Sequence, residues 1–292
     1  MKKILALILT LALVLCVGAS LVSCDQGDKT LTVFVPSDDS NQTRALLLLA
    51  QEGFISIPEG KDINTGISVL DLKEENYLAN IEIQAVEAQT LPAQLKNNVG
   101  AIAVINGNYA IGAGLNVATD ALAIEAADGQ AATTYANILA VNPEDKESPK
   151  ILALVAALQS KEVADFISGE YQGAVVSMSQ SANVTIEAAG DDNVITVAAS
   201  PTPHAEILEI AKTLLAAKGY TLNIETFDDY VLPNQVVFNG ECDANYFQHV
   251  PYLNSFNTEN NMDLVSVAAV HYEPFGIYGN EITLAQAKAF IK

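Results

Sequence analysis

Past residue 30 the chain alternates strand-like and helix-like stretches almost without a break, and that rhythm leaves few folds open to it. Residues 30–35 alternate apolar and polar, break at Pro36-Ser37-Asp38-Asp39-Ser40, and lead into a helical run over 41–52 that stops at Gly53. Residues 81–86 alternate again before a helix near 90–96, and 101–105 form a short apolar strand ending at Asn106-Gly107-Asn108. Strands are expected at 121–125 and 138–141, and two helices over 148–169. Another helix enters through Thr202-Pro203 and ends at Gly219, followed by a strand carrying Leu222 and Ile224 on one face. A further strand is expected over 263–270 and a final helix near 284–291. Such a βαβα order predicts open α/β sheets with ligand sites at loops beyond the strand ends.

The amino terminus sets the compartment. Lys2 and Lys3 precede an apolar run over 4–17, then small residues and Leu21-Val22-Ser23-Cys24. This is the layout of a secretory signal, too short and wrongly flanked for a permanent membrane helix. The last four residues resemble a bacterial lipobox, in which Cys24 is lipidated, for instance by palmitate, and becomes the first residue. Residues 1–23 are then the signal and 24–30 a tether. The remaining length predicts two lobes. Cys242 is left as the unmodified thiol, so no disulfide framework is possible. With 35 acidic against 14 basic residues the net charge is −21, which excludes nucleic acid as a partner.

Arg44 is the sole arginine in the sequence and falls in the first turn of a helix after a strand-end loop. A guanidinium there, beside helical N–H groups, makes a bidentate site for a carboxylate. Its competing role is a surface charge or a partner for Asp38 or Asp39. A second cluster, 228–234 and 243–253, is rich in Tyr, Phe and amides that could wall an apolar pocket. Tyr246 and Phe247 are neighbours on a strand, so one of them is expected in the core. No nucleophile motif of a hydrolase is present. His204, His249 and His271 with Glu273 form the rival site, a zinc centre.

These residues carry a family resemblance. The segments 44–49, 105–110, 135–137, 171–176, 200–208 and 247–253 match the NLPA-type lipoproteins, methionine-binding components of ABC importers. The similarity spans nearly all of 31–176 and 193–292, but in exchanged order, since the family begins with the second stretch. The chain thus resembles a circular permutant whose segment 177–192 is a linker joining the old ends. The resemblance implies a two-lobed α/β fold of the periplasmic-binding-protein type (type II), with lobes at 31–134 and 135–292 and hinges near 135–137 and 272–278. It implies that Arg44 binds the ligand carboxylate, that Asn106 and Asn137 hold the head group, and that Tyr230, Phe247 and His249, with Tyr252 behind them, enclose the side chain. The ligand expected is methionine of either hand or a close analogue, the alternatives being another apolar amino acid or a small methionyl peptide. The partners implied are the importer's permease and ATPase, with the membrane reached through the lipid alone. The protein is expected to be monomeric, without cofactor or enzymatic activity, and to face the extracytoplasmic side. Loss of Arg44 is expected to spare folding.

Overall fold

The computed structural model describes residues 29–126, 129–179 and 184–292. The signal, Cys24 and part of the expected linker lie outside the described residues.

The first strand, β1 (Leu31–Pro36), is β-branched and buried on both faces, as a central parallel strand must be. Asp38 then caps α1 (Asp39–Gln51) by accepting the Asn41 backbone N–H at 2.9 Å. That cap fixes where the first turn of α1 points. There follow β2 (Ile81–Val86), α2 (Leu91–Asn97), β3 (Ile102–Ile105), α3 (Gly107–Gly112), α4 (Val117–Asp120) and β4 (Ala123–Ile124). Next come α5 (Gly129–Thr134), β5 (Asn137–Val141), α6 (Pro149–Leu158), α7 (Lys161–Tyr171) and β6 (Val176–Ser177). The remainder runs β7 (Val194–Ala199), α8 (Glu206–Ala216), β8 (Thr221–Thr226), α9 (Leu232–Phe238), β9 (Ala244–His249), α10 (Val250–Asn260), β10 (Val265–Tyr272), β11 (Gly276–Gly279) and α11 (Leu284–Lys288).

Among the described residues the strands form two sheets, ordered β2-β1-β3-β11-β4 and β6-β10-β5-β9-β7-β8. Their logic is the same. Three successive strands pair in parallel in the order 2-1-3, joined by crossover connections that carry helices. Each sheet then takes an antiparallel strand from the other half of the chain. β11 joins β3 and β4 in the first sheet, and β5 joins β9 and β10 in the second. The result is the two-lobed periplasmic-binding-protein type of architecture, with the chain passing between lobes twice, after Ile124 and after Tyr272.

This exchange corrects the expected lobe boundary. Residues 276–288 belong to the first lobe, not to a second lobe running to 292. Ile277 and Ala287 are fully buried there with Val33, Leu46 and Val104. The second core gathers Leu139, Leu154, Val163, Ile195, Leu208 and Tyr246.

The segment 177–192 is also not a free linker where it is described. Ile186 is buried in the second core, and Ala189 donates its N–H to the Lys218 carbonyl at 2.8 Å. The first and last described stretches meet at one residue. Asn80 donates its backbone N–H to the Phe290 carbonyl at 2.8 Å and its side-chain amide to the Lys29 carbonyl at 3.0 Å. No described helix is long and apolar enough to cross a membrane.

Candidate functional site

The parallel strands of each lobe end at a common cleft, and the turns after them supply its lining. β1 and its cap deliver Asn41 and Arg44 on the first turns of α1. β3 is followed by Asn106, the residue that opens α3. β5 begins at Asn137, and β9 ends at Phe247, Gln248 and His249, with Tyr252 one turn into α10. All seven residues singled out for the ligand, Arg44, Asn106, Asn137, Tyr230, Phe247, His249 and Tyr252, line one pocket between the lobes. Asn41, Gly107, Asn108, Gln248, Glu273 and Phe275 complete it. The side chains close on each other and leave a cavity of about 20 Å³, room for a single water-sized molecule.

The guanidinium of Arg44 is more committed than expected. Nε lies 2.8 Å and Nη2 2.6 Å from the two carboxylate oxygens of Glu125, and Nη2 also donates to the Glu273 carbonyl at 2.7 Å. Its planar face rests 4.0 Å from the Phe275 ring centre and 4.4 Å from that of Tyr135. Burial alone would weaken the guanidinium's hold on its proton, but Glu125 outweighs it and raises the pKa above the ordinary value. Burial likewise pushes the Glu125 carboxyl up, and Arg44 brings it below the usual range. The expected open fork is therefore spent on an internal carboxylate, and neither Asp38 nor Asp39 is its partner. Nothing in the sequence distinguishes Glu125 from the other acids, since it follows a two-residue strand in an unremarkable loop.

Asn41, also unforeseen, is the polar centre of the pocket. The Asp38 carboxylate accepts its side-chain N–H groups at 2.9 and 3.0 Å, which aims Oδ1 into the cleft. There Oδ1 accepts from Asn106 Nδ2 at 3.0 Å and faces His249 Nε2 at 3.2 Å. His249 Nδ1 accepts the Tyr252 N–H at 3.3 Å, so the ring proton belongs on Nε2 and is donated to Asn41. Burial, then the nearby Arg44 charge, lower the His249 pKa to about 3, so the ring is neutral. Asn106 Oδ1 is buried and has no hydrogen-bond partner.

The second wall is aromatic. Tyr230 stands 5.7 Å from Phe247 and 5.8 Å from Tyr252, ring centre to ring centre. Tyr230 donates its hydroxyl to Asn108 Oδ1 of the first lobe at 2.6 Å, and Tyr109 returns a bond to the Asp228 carbonyl at 2.7 Å. The strand neighbours Tyr246 and Phe247 do part: Tyr246 is fully buried in the second core, and Phe247 faces the cleft.

The rival zinc set is not assembled. His204, His271 and Glu273 bring their donor atoms within 4.8 Å of one another, but His249 is not with them. The three are moreover bonded to protein. His271 Nε2 donates to Glu273 Oε1 at 2.6 Å, its Nδ1 meets the Tyr246 hydroxyl, and His204 Nε2 lies 2.9 Å from Asn137 Oδ1.

The family model described as NlpA lipoprotein matches residues 21–179 and 195–287. This chain belongs to that family. Among curated relatives, the methionine-binding lipoprotein MetQ of Bacillus subtilis is 54% identical over 85 residues, 29% of this chain and 31% of that protein. The D-methionine-binding lipoprotein MetQ of Escherichia coli is 32% identical over 154 residues, 53% of this chain and 54% of that protein. The chain thus spans between about a third and about half the length of these relatives. Lipoprotein Tp32 from Treponema pallidum, a solved structure, is 35% identical, covers 49% of this chain and 56% of its own, and superposes with a TM-score of 0.44.

Proposed function

We propose that this chain is a lipid-anchored, extracytoplasmic substrate-binding protein of an ABC importer that captures methionine, L or D, or a close analogue between its lobes. The observation that carries this reading is Asn106 Oδ1, a buried acceptor without a partner in a pocket both lobes line. Such an atom costs about 1–3 kcal/mol to leave bare, so it is suited to receive a donor that arrives, here an α-ammonium. Arg44, still positively charged beside Glu125, and the Asn137 amide would take the carboxylate. Tyr230, Phe247 and Tyr252 would surround an apolar side chain, and a thioether against those rings gains modestly from sulfur–aromatic contact. Closure of the lobes about the two crossings, near 135–137 and 272–278, would seal the ligand from water. Cys24 would bear the lipid, and the importer's permease and ATPase would be the partners that receive the ligand.

The same proposal includes the exchanged order of halves. It is supported by the family match falling in two separate stretches and by Lys29 and Phe290 both bonding to Asn80. Native mass spectrometry of protein purified without added ligand, followed by calorimetry with both methionine isomers, leucine and a methionyl dipeptide, tests the ligand. Methionine recovered or bound in one-to-one ratio is the expected result. Stoichiometric zinc, or no heat with any amino acid, overturns it.

A further inference from the structure

The segment Ser200-Pro201-Thr202-Pro203-His204 does not line the pocket, yet its histidine reaches one of the pocket amides. His204 is 1% exposed, with its ring edge-on to Tyr246 and His271 at 4.7 and 4.8 Å. Its Nε2 lies 2.9 Å from Asn137 Oδ1 and 3.7 Å from Glu273 Oε1, while Nδ1 has no hydrogen-bond partner. Asn137 pairs with His249 on one side and His271 on the other across the sheet, so its backbone is fixed and the amide can turn about its own axis alone.

We propose that His204 is a positioning residue that makes Asn137 a donor toward the ligand, and so sets which end of an α-amino acid each pocket amide reads. Two arrangements are possible. With its proton on Nε2, His204 donates to Asn137 Oδ1, and the Asn137 NH₂ faces the cleft. With the proton on Nδ1, the amide must flip and present its carbonyl instead. One feature selects the first. The Glu273 carboxylate, 3.7 Å from Nε2, attracts the proton to that nitrogen. Asn137 then offers donors, fitted to a carboxylate, and Asn106 offers a bare acceptor, fitted to an ammonium. The head group is read in one direction. This inference rests on the amino-acid reading above and deepens it.

The test has two independent parts. Nitrogen-15 shifts of ligand-free wild-type protein report the His204 tautomer directly, and the Nε2–H form is expected; an Nδ1–H form overturns the inference whatever the protein binds. Binding is then compared for methionine and methioninamide. His204→Leu is expected to weaken methionine by roughly ten-fold or more while methioninamide changes less, because the lost donor served the carboxylate. His204→Gln, whose terminal amide occupies the place of Nε2, is expected to restore the preference. Equal losses for both ligands, or none, in folded His204→Leu overturn the positioning role, as does a His204→Gln variant that binds no better than His204→Leu. If His204→Leu does not fold, His204→Gln and the tautomer decide. Wild type with the expected tautomer that binds no amino acid overturns the functional reading, and the ligand-reading half of this inference with it.

Discussion

His249 of the second lobe donates from Nε2 to Asn41 Oδ1 of the first, 3.2 Å away across the cleft. Asp38 holds Asn41 from behind, so the acceptor is presented at little further ordering cost. With the Tyr230–Asn108 bond it ties the lobes together. Asn41→Ala removes a bond worth about 1 kcal/mol and shifts the lobes toward an open form. Small-angle scattering of the ligand-free variant should give a larger radius of gyration than wild type. Matching profiles would mean that this contact does not bias closure.

Arg44→Ala should cost stability as well as binding, contrary to what the sequence led one to expect. The side chain is 3% exposed and its removal strands Glu125, a largely buried carboxylate. Breaking a buried pair in this way costs about 3–5 kcal/mol. Glu125→Gln in the same chain should recover part of that loss by neutralising the stranded charge. Urea denaturation of the two single variants and the double variant measures the coupling; strictly additive losses would sink the pairing argument.

What the sequence revealed and what it hid have physical causes. The strands expected at 30–35 and 81–86 appear as Leu31–Pro36 and Ile81–Val86, because alternation over six residues is a strong local signal. The exchanged strand β11 was invisible: Gly-Ile-Tyr-Gly has no period to read, and its place is decided by pairing with β3. Ile186 docks into the second core, but the brief extended piece Val184-Thr185-Ile186 within a small, polar stretch is too short to show it. The lone arginine was conspicuous by composition, whereas its partner Glu125 was one acid among 35. The pocket residues were legible through motif resemblance, not periodicity, and the Asn41 contact needed both lobes in place.

Stability should fall on mild acidification. Burial holds His204, His249 and His271 at about 3, with Arg44 assisting at His249. An unfolded histidine titrates near 6.5, so between about 6.5 and 3 the unfolded chain takes up protons that the folded chain refuses. The stabilisation is therefore complete above about 6.5 and declines as pH drops through that window, by on the order of 2 kcal/mol per histidine at pH 5. Glu273 and Asp38, whose burial raises their carboxyl pKa, act in the opposite sense toward the acid end. Denaturation midpoints at pH 7 and pH 5 should differ clearly in favour of pH 7. Equal midpoints would contradict the buried neutral histidines.

Gly107 admits no side chain. A Cβ there would lie 2.4 Å from Glu273 Oε2 and 2.5 Å from its Cβ. Glu273 sits at the second crossing between lobes and is bonded to His271, so it cannot retreat freely. Gly107→Ala should destabilise by about 1–3 kcal/mol through overpacking and should weaken ligand binding, since Asn106 precedes it. A variant with wild-type melting temperature and affinity would show that the crossing yields easily.

The proposed exchange of halves can be tested by undoing it. A chain that runs from residue 184 to 292, continues through a connector of about four residues into residue 29, and ends at 179 keeps every described strand pairing. The new joint is short because Lys29 and Phe290 already bind the same residue, Asn80. Starting at 184 also preserves the buried Ile186 and the Ala189–Lys218 bond, which would otherwise be lost from the second core. Closing so small a gap changes chain entropy little, so stability should stay within about 1 kcal/mol of the present order. Both forms should bind the same ligand with equal affinity, because the cleft residues lie away from either joint. Failure of the reordered chain to fold, or an altered affinity in solution, would show that the present order is itself required by the fold.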